Sequence, residues 1–164
     1  MRRERTIIGV GGCVGLEPEK PVAPLQTFEG STMPEPVVYI DRSRIRPGKS
    51  AQLRRAIDDL VDFIGREERQ LLHYGFYLDE AASRMTVVAV HPDTASVERH
   101  MDVGGEAFRG FADLLEMEAI EVYGEATPRM LEQLAAKADA LGDVGSVTVV
   151  PLEAGFHRLQ VHPG

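Results

Sequence analysis

From Val37 onward the chain switches repeatedly between two hydrophobic periods. Val37 to Ile45 ("VVYIDRSRI") is rich in β-branched residues and reads as a strand, stopped by a Pro-Gly turn in "RPGKS" with Ser50 as a helix-cap candidate. From Ser50 to about Arg69 the positions Leu53, Ala56, Ile57, Leu60, Val61 and Ile64 form a stripe with helical spacing. Arg54, Arg55, Asp58, Asp59 and Asp62 lie around it, as on a helix that covers a sheet. "LLHYGFYLD" and "RMTVVAVH" flank "EAAS" as the two strands of a hairpin. "HPDTAS" then stops the second strand and caps a helix through Asp93 or Thr94. That helix is expected from about Thr94 to Leu115, with a kink or break at Gly104-Gly105. Its apolar face carries Val97, His100, Met101, Gly104, Phe108 and Phe111 at spacings of three and four, so a histidine sits inside the stripe. "MEAIEVYG" is a fourth strand.

The order β-α-β-β-α-β is the split βαβ arrangement of ferredoxin-like α+β domains. Two elements follow it. "TPRMLEQLAAKADALG" has Thr127 as N-cap, Pro128 at the first helical position and Gly142 just past the end, and "SVTVVPL" is a last strand. "GFHRL" is a short tail. A four-stranded sheet with helices on one face leaves its other face bare. Val38, Ile40, Val87, Ala89, Ile120 and Val122 are expected there as a patch too apolar to leave in water, which predicts a homodimer through the sheet faces.

A length of 164 residues suits one domain with a real core. The organisation expected is a flexible arm or upstream extension over 1–36, a ferredoxin-like domain over 37–124, and a helix-and-strand extension of the same domain over 125–164. The first segment has prolines at 18, 21, 24, 34 and 36 and no sustained periodicity, and Met33 is a candidate native start. The net charge of -8, with no segment that concentrates Lys and Arg, predicts no nucleic-acid partner. The single cysteine, Cys13, allows no intrachain disulfide and fits a reducing, cytoplasmic setting. No apolar run approaches the length that spans a bilayer, so no membrane partner is expected. "MRRERTIIGVGGCVGL" loosely resembles an exported leader with a lipoprotein box, but four glycines interrupt it and its apolar part is short. The Gly9, Gly11, Gly12 run lacks the preceding strand and the following Lys-Ser/Thr of a phosphate loop.

"YGFYLDEAASRMTVVAVHPDTASVERHM", followed by "GGEAFRGFADLLE" and a final strand, resembles the antibiotic biosynthesis monooxygenase-like family of dimeric α+β barrels. The family's "ALxxH" helix signature is matched by "SVERH" with His100 in place, and Ala107-Phe108 stands where the family has "HF". The resemblance spans roughly Pro36 to Gly124 and implies a dimeric barrel fold and a cofactor-independent monooxygenase-like activity on a small aromatic or quinol-type compound. Many members have Glu-x-Trp at the end of the third strand, where this chain has Ala89 and His91, and it contains no tryptophan. Haem-degrading relatives use an Asn on the first strand, a haem-distorting Trp and a His after the aromatic residue of the second helix. Asp41 falls near that Asn and no such His follows Phe108, so haem degradation is not expected.

Two readings of His100 stand side by side. It is a general base on a phenol or hydroquinone, because a near-neutral imidazole suits proton abstraction, or it is a core histidine bonded to a carbonyl or carboxylate. His91 either lines the same pocket, facing His100, or ends its strand in water. Tyr74 and Phe76, with Phe108 and Phe111, form either an aromatic wall for a flat ligand or plain core. Asp41 is a pocket acid or a member of an ion pair across a dimer. His73, His91, His100, Asp93, Asp102 and Glu106 show no tight ligand spacing, so no metal is expected, and no cofactor is called for. The alternative to an enzyme is a non-enzymatic small-ligand-binding or stress-related dimer of the same fold.

Overall fold

The computed structural model describes residues 35–140 and 146–158, all within one compact unit. The expectations for 1–34, including a start at Met33, and for Gly142 lie outside the described residues. The elements are β1 (Val37–Ile45), α1 (Ser50–Glu67), β2 (His73–Asp79), β3 (Arg84–His91), α2 (Thr94–Arg109), β4 (Leu115–Tyr123), α3 (Pro128–Ala140) and β5 (Ser146–Val150). They form one five-stranded sheet in the order β2-β3-β1-β4-β5, with β5 parallel to β4 and all other neighbours antiparallel. The first four strands and two helices are the ferredoxin-like α+β unit. The β4-α3-β5 crossover widens it by one strand, with α3 packed beside α2.

Alternation along the strands decides what lies under the helices. Tyr39, Asp41 and Ser43 of β1, Met85, Val87, Ala89 and His91 of β3, and Met117, Ile120 and Val122 of β4 are all buried. Leu53, Ile57, Leu60 and Ile64 of α1 cover them, with Val97 and Phe108 of α2 and Met130 and Leu134 of α3. Local signals set the ends. Pro47-Gly48 makes the turn before α1, with Gly48 at φ +75°. The Asp93 carboxylate accepts from Ser96 N at 2.7 Å to start α2, and Thr127 Oγ1 accepts from Met130 N at 3.1 Å to start α3.

Three expectations are corrected. Ser50 is the first helical residue, and Lys49, without a side-chain cap, precedes it. Gly104-Gly105 does not break α2, which runs continuously to Arg109 and ends six residues before Leu115. Packing against α1 and α3 outweighs the low helix propensity of the two glycines, a cost of about 1 kcal/mol each. The bare sheet face also differs from the one expected. Val38 and Ile40 lie on it with Val88 and Val90, whereas Val87, Ala89, Ile120 and Val122 lie under the helices. A register shift opposite Arg42/Ser43 leaves Glu118 as an extra residue in β4 and changes the parity of its downstream half. The bare face is part ionic: Arg42 pairs with Glu121 at 2.5 Å, and Glu118 holds Arg44 and Arg84 at 2.9 and 3.1 Å.

Candidate functional site

The polar side chains that lie under the helices gather between α2, the end of α1 and α3. The α1 stripe continues at the same spacing from Ile64 to Glu68, whose backbone N–H still bonds to Ile64 O at 2.9 Å. This carries the Glu68 carboxylate inward, where its side chain is fully buried. His100 Nδ1 lies 2.9 and 3.1 Å from its two oxygens. A carboxylate only accepts, so the proton of this contact belongs to Nδ1, and in the neutral ring Nε2 is left with a free lone pair. Gly104, one turn along α2, leaves that edge of the ring open. A Cβ built there would lie 3.7 Å from His100 Cε1 and 3.9 Å from Nε2.

The space beside this edge is a cavity of about 10 Å³, enough for one water, walled by Tyr74, His100, Met101, Gly104, Phe108 and Lys137 among others. It shares Met101, Gly105, Phe108 and Lys137 with a larger cleft of about 190 Å³ between α2 and α3, which Gln133 and Ala136 also line. On the other side of the Glu68–His100 pair, a groove of about 390 Å³ runs between the end of α1 and β2, past Ile64, Leu71 and Tyr74.

Lys137 is where the two spaces meet. Its Nζ bonds to Asp41 Oδ2 at 2.7 Å and to the Tyr39 hydroxyl at 2.6 Å, and it sits 3.9 Å from the centre of the Phe108 ring. Tyr39 in turn donates to Asp41 Oδ2 at 3.0 Å. Asp41 therefore finds a charge partner within its own chain. Its Oδ1 is buried with no partner among the described residues. Burial first, and then the Asp41 charge, push the Tyr39 hydroxyl well above its ordinary pKa, and burial does the same to Tyr74, helped by Asp41 and Glu68.

His91 is buried at the end of β3, with Nδ1 3.1 Å from Ser96 Oγ and Nε2 unpartnered among the described residues. Its ring meets that of His100 at 5.3 Å, so the two do face each other, although His91 does not reach the cavity wall. Tyr74 meets His100 edge-on at 5.1 Å, and Phe76 packs behind Tyr74 at 5.1 Å. Phe111 stacks behind Phe108 at 4.8 Å. Of the four aromatic residues singled out in the sequence, Tyr74 and Phe108 face the cavity, while Phe76 and Phe111 support them. Among the described residues no three His, Cys, Asp or Glu side chains converge as metal ligands, and no helix is long and apolar enough to cross a membrane.

Burial, and then the neighbouring His100, push His91 down to about 3, and hydrogen bonding at Ser96 offsets this only partly. The unfolded chain takes up that proton near pH 6.5 and the folded chain does not. His91 therefore costs the fold nothing above pH 6.5, and the loss of stability grows as the pH falls toward 3, to about 3 kcal/mol at pH 4. Urea titrations from pH 7 to pH 4 are expected to show a steeper loss of stability for the wild type than for His91→Asn, which keeps an acceptor for Ser96 but does not titrate. Equal slopes would place the acid sensitivity elsewhere.

No protein-family model matches the chain, and no curated protein matches its sequence. Solved structures match in fold. MupZ from Pseudomonas fluorescens superposes with a TM-score of 0.59 at 16% identity, over 76% of this chain and 95% of that one. SnoaB from Streptomyces nogalater, a cofactor-independent oxygenase, gives 0.48 at 14% identity over 57% and 95%. A candidate antibiotic biosynthesis monooxygenase from Deinococcus radiodurans gives 0.46 at 17% over 56% and 95%. What this chain and MupZ share is the fold, a ferredoxin-like α+β unit. The match to MupZ covers more of this chain than the βαββαβ unit alone.

Proposed function

We propose that the chain is a cofactor-independent, monooxygenase-like enzyme acting on a small phenol or quinol-type compound, with His100 as its general base. The observation that carries this reading is the buried carboxylate of Glu68 on His100 Nδ1, while the ring borders a cavity that opens toward a cleft. A base oriented from behind by an acceptor, with its other nitrogen free, is the arrangement that proton abstraction requires. His100 Nε2 takes the phenolic proton, and the resulting anion, richer in electrons than the neutral phenol, reduces dioxygen. One ring carbon gains an oxygen atom as a carbonyl in place of its single hydrogen. The second oxygen atom leaves as water with that hydrogen and the proton taken by His100, so the substrate itself is the reductant. Tyr74 and Phe108 hold the ring, and His91 backs His100.

A second copy covers the bare sheet face in this reading, burying Val38, Ile40, Val88 and Val90. The alternative is a non-enzymatic ligand-binding dimer. It is favoured by the size of the inner cavity, about 10 Å³, which admits a water but no ring without movement of Phe108 or Lys137. Native mass spectrometry of the purified protein, followed by oxygen uptake with 1-naphthol and 1,4-naphthohydroquinone above their autoxidation, tests the two. A dimer with catalysed uptake supports the enzyme. A dimer that carries or binds these compounds without uptake supports the binder, and a monomer removes the sheet-to-sheet pairing.

A further inference from the structure

The ferredoxin-like unit ends at β4, yet the cavity at His100 is lined in part by a residue that lies outside it. Lys137 comes from α3 and lines both the inner cavity and the α2–α3 cleft. We propose that Lys137 is the anion-holding residue of the site: the oxygen that His100 deprotonates binds against the Lys137 ammonium, and the ligand enters through the α2–α3 cleft. The proposal rests on the reading of His100 as base and names the feature its substrate must have, an acidic hydroxyl whose conjugate oxyanion accepts from an ammonium.

Three features of the geometry support it. Lys137 and His100, from different helices, line one cavity of about 10 Å³. Asp41 and Tyr39 hold Nζ from the sheet side and neither lines the cavity, so an incoming oxyanion meets the ammonium before the carboxylate behind it. Phe108, whose ring centre lies 3.9 Å from Nζ, lines both the cleft and the cavity and so sets an apolar wall beside the charge. The other charged groups of the cleft, Asp102 and Arg109, line it but not the cavity, and Asp102 is taken by Arg129 at 2.7 Å. Asp41 and Tyr39 are positioning residues in this scheme. They fix the ammonium but do not touch the ligand.

The probe is 4-nitrophenol, whose phenolate absorbs in the visible, titrated against the full-length protein. A positive charge within contact range lowers the midpoint of a bound phenol by about 1–3 pH units. In the wild type the bound phenol is therefore expected to ionise at least about tenfold more readily than the free one. Lys137→Met leaves Asp41 buried without its partner and risks the fold, so the deciding comparison is Asp41→Asn against Asp41→Asn/Lys137→Met. The former keeps the ammonium with a neutral acceptor for it and is expected to ionise the bound phenol more readily than the latter. The latter is expected to lose at least about tenfold of the ionisation while still binding the ring. Equal midpoints in these two variants, with ionisation lost in His100→Ala, overturn the assignment of Lys137 and leave the base intact. Failure of the wild type to bind or ionise the phenol overturns both.

Discussion

His100→Ala is expected to lower turnover of a phenolic substrate by about 10²–10⁴-fold, with little change in KM. That loss corresponds to about 3–5 kcal/mol of the activation barrier, the share a positioned base contributes, and it falls on kcat because the proton is transferred only in the reaction step. The variant leaves Glu68 buried without its partner, so the double variant Glu68→Gln/His100→Ala, which removes the lone carboxylate, keeps the test readable if the single one unfolds. Glu68→Gln alone retains an acceptor for Nδ1–H and loses only the charge behind the ring. Its turnover is expected to fall between those of the wild type and His100→Ala. Wild-type turnover in the folded double variant would show that His100 is the core histidine of the competing reading, satisfied by Glu68 for the sake of packing.

Lys137→Met is expected to cost about 3–5 kcal/mol of folding stability, read from urea midpoints, whereas Asp41→Asn/Lys137→Met recovers most of it. The size of the effect follows from how Asp41 is held. Its side chain is fully buried, and among the described residues Oδ1 has no partner and Oδ2 is held by Lys137 and Tyr39. Removing the ammonium leaves an ionised carboxylate in the interior with one neutral hydroxyl as its donor, and leaving a buried charge uncompensated costs far more than an exposed pair contributes. Arg44→Ala provides the contrast. It breaks an exposed contact to Glu118 on the bare face, where Arg84 still pairs with that carboxylate, and is expected to cost less than about 1 kcal/mol. A loss on Lys137→Met no larger than that on Arg44→Ala would mean that α3 is held by its apolar face alone, through Met130, Leu134 and Ala138.

Much of this protein was legible in the order of its residues. β1, the hairpin, the cap of α2 at Asp93 or Thr94, the start of α3 at Thr127 and the ferredoxin-like order were all readable because periodicity, turns and caps are local. Each is decided by residues within about one turn of the element it defines. His100 was legible as a histidine on an apolar stripe for the same reason. The partners of that stripe were not. Glu68 continues the buried spacing of Leu53, Ile57, Leu60 and Ile64, and Lys137 lies on the inward side of Met130 and Leu134. A charged residue on a buried face was the available signal, hidden within the charged run "GREERQ" and the alanine-rich "AAKADA".

What only the tertiary structure decided is which groups meet: Glu68 with His100 across 32 residues of chain, and Lys137 with Asp41 across 96. The same holds for the fate of the two adjacent glycines and for the orientation of the sheet. Gly104-Gly105 reads as a break from propensity alone, but α1 and α3 pack α2 into one helix, and Gly104 then leaves the His100 edge open. β1 and β3 carry apolar residues on both faces, so alternation could not choose the covered one, and the extra residue in β4 reverses its parity midway. Sequence spacing fixes the direction of a side chain relative to its own element. Only the packing of elements against one another fixes what that side chain faces.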